Sequence, residues 1–199
     1  MPTASAPPGL GPLWGASGGA SGGASGALKD AARLAQAWAW AEGRLYEVLG
    51  AWVPSCESAA CKIYFDACSQ HHAWRSQLWL ERSGLQASAA VGPRRAEEPL
   101  AALACLEDDI ARLAAYCRVV LARSVVGYRT WQQACGPSAD RPVVRALSFA
   151  MSDVIADWQD GESLLVALLD ESGDAGVQAG ARAVALVEEL VVVGLGQFG

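Results

Sequence analysis

Apolar residues recur along this chain at steps of three and four over long stretches, a pattern that predicts helices and no strands. A first helix is expected from Ala27 to Val53, stopped by Pro54, with Leu28, Ala31, Ala35, Trp38, Glu42, Leu45, Leu49 and Trp52 on its inward stripe. Glu42 thus stands in the middle of an apolar face, where a carboxylate needs a charged partner, a hydrogen bond or a metal. After the short turn Pro54 to Glu57, Ser58 is the expected N-cap of a second helix that makes an antiparallel pair with the first. This second helix, about Ala59 to Arg82, carries both histidines of the chain. His71 interrupts the stripe Ala60, Tyr64, Ala67, Trp74 and Leu78, and His72 lies one stripe over, in line with Cys61, Phe65, Cys68 and Trp79.

From Ser83 to Pro99 the helical period lapses. Fully extended, that connection reaches on the order of 55 Å, enough to cross the roughly 37 Å of the second helix. The second and third helices are therefore expected to run parallel. The third is expected from Leu100 to about Trp131, with Glu107 at the edge of its apolar face. Asp140 followed by Pro142 marks the start of a fourth helix, in which Val143, Leu147, Met151, Val154, Trp158 and Leu165 face inward with Asp153 and Asp157 on the flank. Beyond a break from Ser172 to Gly180, an apolar segment from Ala181 to Leu195 is expected to cap the bundle or pack against another subunit. Residues 1–26, proline- and glycine-rich and ending in three copies of Gly-Ala-Ser-Gly, read as a disordered tail. The layout is then a tail over 1–26, a four-helix bundle over 27–171, and a linker with a short C-terminal helix over 172–199.

Four long helices joined by a short turn, a long crossover and a short turn match the connectivity of ferritin-like bundles. Segments such as AWAEGRLYEVLGAWV, HHAWRSQLWLERSG and RPVVRALSFAMSDVIADWQDGE also resemble the ferritin-like superfamily. The resemblance implies an all-α, ferritin-like four-helix bundle with one long crossover connection. In metal-binding members, the first and third helices each give a glutamate, and the second and fourth each give Glu-x-x-His. By resemblance Glu42 and Glu107 match the lone glutamates and His71 the second-helix histidine, while Asp153 and Asp157 supply acidity in the fourth helix. Cys68 stands where the glutamate before His71 belongs, Ser69 precedes His72 at the same spacing, and the fourth helix has no histidine. Two readings follow. In one, Glu42, His71 and Glu107 form a structural polar network with one another or with Arg44, Arg112 or Tyr64, in a non-catalytic binding or scaffold protein that needs no cofactor. In the other, Glu42, His71, Glu107 and Asp153 or Asp157 hold iron or manganese in an oxidase, a hydroxylase or an iron-handling protein.

Composition narrows the field further. Of the residues, 52% are hydrophobic and 18% charged, so the bulk of the chain folds around a buried core. The net charge of −6, with scattered basic residues, argues against nucleic acid and anionic membrane as partners. No run of about 18 uncharged residues suits a bilayer span. The six cysteines lack a Cys-x-x-Cys pair, and four fall in helices, which points to reduced thiols and a cytoplasmic setting. There is no Gly-x-Ser-x-Gly, phosphate loop or dinucleotide fingerprint, and a Cys68/His71 nucleophile pair has no visible orienting group. Trp40, Trp79 and Trp131 fall outside the central stripes, which together with the apolar C-terminal segment suggests a homodimer.

Overall fold

The computed structural model describes residues 24–84, 94–136 and 141–196, and among them the chain is all helical with no strand. The first helix, α1 (Ala24–Trp52), gives way to a single 3-10 turn, Val53–Ser55, at Pro54. The second, α2 (Ala59–Ser83), opens on Ser58, whose hydroxyl accepts the Cys61 N–H, and closes on Gly84 in the left-handed conformation. The register of the α1–α2 pair is read from its contacts. Ser69 Oγ donates to the Tyr46 carbonyl and Ser76 Oγ to the Ala39 carbonyl, at 3.1 and 2.7 Å. Higher positions on one helix meet lower positions on the other, so the pair is antiparallel, as its short turn requires. Small residues set the spacing, since Gly50 and Gly43 lie directly against those same two serine hydroxyls.

The region expected as one third helix is divided. A short helix α3 (Arg94–Ala104), starting inside the expected connection, is followed by a break and then by α4 (Asp109–Ala115), which Asp108 caps through the Ala111 N–H. The break falls where Leu106 to Asp108 leave the helical path, with the side chain of Asp108 replacing a backbone acceptor. A π-helical stretch, Tyr116–Leu121, then joins α4 to α5 (Ala122–Ala134). Along α2 and this composite helix the contacts rise together, His72 meeting Tyr116 and Trp79 meeting Tyr128 and Trp131, so the two run parallel.

The last helix, α6 (Arg141–Gly196), returns antiparallel to both, with Asp157 at His71 and Asp153 at Arg75, Glu162 at Arg118 and Ser148 at Gln132. The expected break from Ser172 to Gly180 shrinks to one residue, Gly173, at φ 62° and ψ −149°. A side chain there would strain the backbone, and glycine turns the helix back at no such cost. The remainder packs along α4 and α5 through Ala183, Val187 and Val191, and Glu188 pairs with Arg123. The expected tail over 1–26 lies outside the described residues except for its last three positions, which begin α1. No helix among the described residues is long and apolar enough to cross a membrane.

Within the core, α1 contributes Trp38, Leu45, Leu49 and Trp52, and α2 contributes Cys61, Phe65, Cys68 and Trp79. Trp79 is fully buried, Trp131 is 6% exposed and Trp40 is partly buried against the core, so none of them forms the exposed aromatic face from which a dimer was expected. Among the described residues, the exposed aromatics are Tyr46, Trp74 and Phe149. All six cysteines are free thiols, four of them buried.

Candidate functional site

The middle of this apolar core holds a layer of buried charge, built by one turn of α2. His72 and Arg75 lie on the stripe that otherwise carries Cys61, Phe65, Cys68 and Trp79, so the fold directs both inward. Opposite them α1 presents Glu42, which is wholly buried. Its Oε2 lies 2.5 Å from His72 Nδ1 and 3.0 Å from Arg75 Nε, and its Oε1 accepts the Tyr128 hydroxyl at 2.5 Å. From α6, Asp153 and Asp157 each accept from Arg75 Nη1 at 3.2 Å. Asp157 also meets His71 Nδ1 at 2.7 Å, and His71, with 44% of its side chain exposed, carries the network to the surface. On the other side, His72 Nε2 is 2.8 Å from the Tyr116 hydroxyl, and the Trp79 indole donates to Tyr128 at 2.9 Å.

Burial by itself would raise the Glu42 pKa. The Arg75 guanidinium, the His72 imidazole and the Tyr128 hydroxyl outweigh it and hold the carboxyl at about 2. Burial likewise works against the charge of Arg75, but Glu42 and Asp157 keep the guanidinium firmly protonated. His72 is pushed the other way, since burial first and the Arg75 charge second lower its pKa and leave it neutral. A neutral ring has one N–H. Two acceptors do not sit 2.5 Å apart, so that proton is on Nδ1 and points to Glu42, and Nε2 accepts from Tyr116. Arg75 Nη2, 3.1 Å from Nδ1, is then a close neighbour of the ring and not its donor.

Of the residues singled out by the sequence, Glu42, His71, Asp153 and Asp157 gather in this layer. Glu107 does not. It is exposed in the break before α4, at the end of the molecule, beside Glu57, Asp108, Asp109 and Glu171 around a cleft of about 290 Å³. Arg112, considered as a partner of the core acids, instead binds Ser55 and the Leu106 carbonyl near that same end, and Arg44 pairs with Glu47 on the surface. The central imidazole is that of His72, not His71. Sequence reasoning did not single out Arg75, Tyr116 or Tyr128. An arginine in register with Phe65, Cys68 and Trp79 was the available signal for the first.

The residues do not fit the iron or manganese that a ferritin-like resemblance implies. The carboxylates of Glu42, Asp153 and Asp157 converge on the guanidinium of Arg75, itself 0% exposed, so a cation of the protein's own already occupies the point where a metal ion would sit. Among the described residues no group of three or more His, Cys, Asp or Glu side chains is arranged to hold a metal ion. Comparison of the chain with protein-family models, with curated proteins and with solved structures finds no match.

Proposed function

We propose that the protein is a ferritin-like four-helix bundle of non-catalytic type, a binding or scaffold protein in which a buried arginine takes the place of the metal centre. The helix directions support the bundle reading: α1 antiparallel to α2, α2 parallel to α4–α5 across the connection that includes α3, and α6 antiparallel to both. The single observation that carries the non-catalytic reading is Arg75, which binds three carboxylates from two helices at 3.0 to 3.2 Å in the centre of the core. A guanidinium has a fixed fork geometry and never loses its charge, so it satisfies these acids permanently and leaves no open coordination position. Binding to other molecules then falls to the outer surface, where Ile63, Trp74 and Phe149 are exposed, and a second copy of the chain is the partner we expect there.

The test is anaerobic reconstitution of the untagged chain with iron(II) or manganese(II), followed by elemental analysis and light scattering. The reading predicts far less than one metal per chain, a melting temperature unchanged by a chelator, and a dimer at high concentration. Stoichiometric metal lost in His71→Ala would instead favour a metal-dependent oxidase, hydroxylase or iron-handling protein. A strictly monomeric species would remove the second copy.

A further inference from the structure

The four tyrosines of the chain sit in four different proton environments. Tyr46 is exposed. Tyr64 donates to the Asp157 backbone carbonyl at 2.8 Å, an acceptor that does not take a proton. Tyr128 donates to Glu42, a carboxylate held at about 2 and therefore a poor base. Tyr116 alone donates to a nitrogen base, His72, whose other ring nitrogen is anchored on Glu42. Removing one electron from a phenol makes its O–H strongly acidic. Oxidation is therefore easiest where a positioned base stands within hydrogen-bond reach to receive the proton.

We propose that Tyr116 is a proton-coupled redox site. It gives one electron to an outer-sphere one-electron oxidant and its phenolic proton to Nε2 of His72, leaving a neutral phenoxyl radical and an imidazolium. Re-reduction returns the electron to the ring and the proton to the oxygen. The imidazolium keeps its Nδ1–H on the Glu42 carboxylate, which offsets part of the cost that burial and the Arg75 charge set against it, so it lasts only until the proton returns. Tyr116 is 0% exposed and His72 1%, so water reaches neither the radical nor the proton, which keeps the step reversible. An aromatic path leads inward from near the surface. Trp131, 6% exposed, has its ring 4.9 Å from that of Trp79; Trp79 lies 5.5 Å from Tyr128, and Tyr128 stacks on Trp38 at 4.0 Å. Tyr128 and Tyr116 are in turn joined through Glu42 and His72 by hydrogen bonds of 2.5, 2.5 and 2.8 Å. Tyr116 also opens the π-helical stretch, an irregularity frequent at functional sites.

The test is flash oxidation of the full chain by a photogenerated ruthenium(III) polypyridyl complex, read by electron paramagnetic resonance in a Tyr46→Phe background. The expected result is a tyrosyl signal that survives Tyr128→Phe and disappears in Tyr116→Phe, both variants being folded by circular dichroism. A signal that persists in Tyr116→Phe, or no tyrosyl signal in the parent, overturns the proposal. If Tyr116→Phe does not fold, histidine labelled at its ring nitrogens decides the matter in the parent chain. The label must change the electron–nuclear double-resonance spectrum of the radical, and an unchanged spectrum overturns the proposal.

Discussion

Two regions of this molecule concentrate acid, and they behave in opposite ways. In the core, Glu42 and Asp157 meet one arginine with water excluded, and Asp153, with 37% of its side chain exposed, reaches the same arginine from the surface side. At the end of the bundle, Glu57, Glu107, Asp108, Asp109 and Glu171 border an open cleft, with Asp108 and Asp109 used locally as caps and acceptors of backbone N–H groups. The end cleft has the more carboxylates, but what decides their behaviour is the dielectric around them. Buried charges depend on their partners for several kcal/mol, whereas solvated ones depend on them for little. The core layer therefore depends on its arginine, and the exposed acids of the end cleft, such as Glu57 and Glu107, tolerate change.

The largest effect that separates the regions is expected at Arg75. Arg75→Ala strands Glu42 and Asp157 in the core and should cost about 3–5 kcal/mol in denaturant unfolding. Glu107→Ala in the cleft should stay within about 0.5 kcal/mol. An equal loss for the two would erase the distinction. Next is a steric test beside the layer. A Cβ on Gly161 would stand 2.3 Å from the Tyr64 hydroxyl and 2.5 Å from Cys117 Sγ, both part of the wall behind Asp157. Gly161→Ala should destabilise by about 1–3 kcal/mol through overpacking, and an unchanged midpoint would mean that the wall yields.

Acid sharpens the comparison at intermediate size. The His72 pKa is lowered from its ordinary 6.5, so the unfolded chain takes a proton near that pH that the folded chain refuses. Stability should begin to fall as pH drops below about 6.5. Glu42, moved from 4.5 to about 2, extends the fall, since below about 4.5 the unfolded carboxyl is protonated while the folded one is not until about 2. Urea midpoints from pH 7.5 to pH 4 should therefore decrease throughout, and a His72→Gln variant that still folds should lose the upper part of that slope. A flat profile would contradict the neutral imidazole. Smallest is the end of the bundle, where Ser58→Ala or Asp108→Ala removes one helix cap and should cost about 1 kcal/mol each.

Helix content was legible in the sequence because the apolar period is long and Pro54 and Pro142 punctuate it. Glu42 was legible as well, as a lone acid on an apolar stripe. The division of the third helix was not, because the periodic stripe through Leu103, Leu106 and Ile110 continues across a break that a side-chain cap at Asp108 makes. The same break carried Glu107 away from the core. Periodicity placed His71 and His72 on neighbouring stripes but could not say which stripe α1 and α5 would cover. The stripe with Phe65, Cys68 and Trp79 is the one they bury, and it brings in His72 and Arg75. Gly173 alone reverses α6, where composition had suggested a longer break, because one residue with positive φ suffices.

The central claim is that the core acids depend on Arg75 as their cation. A double-mutant cycle on Arg75→Met and Glu42→Gln, unfolded by urea in the presence of a chelator, measures it most directly. The account predicts that the double variant is more stable than the sum of the two single losses requires, with a coupling of at least about 2 kcal/mol. Additive losses would show that the two charges do not depend on each other and would contradict the account.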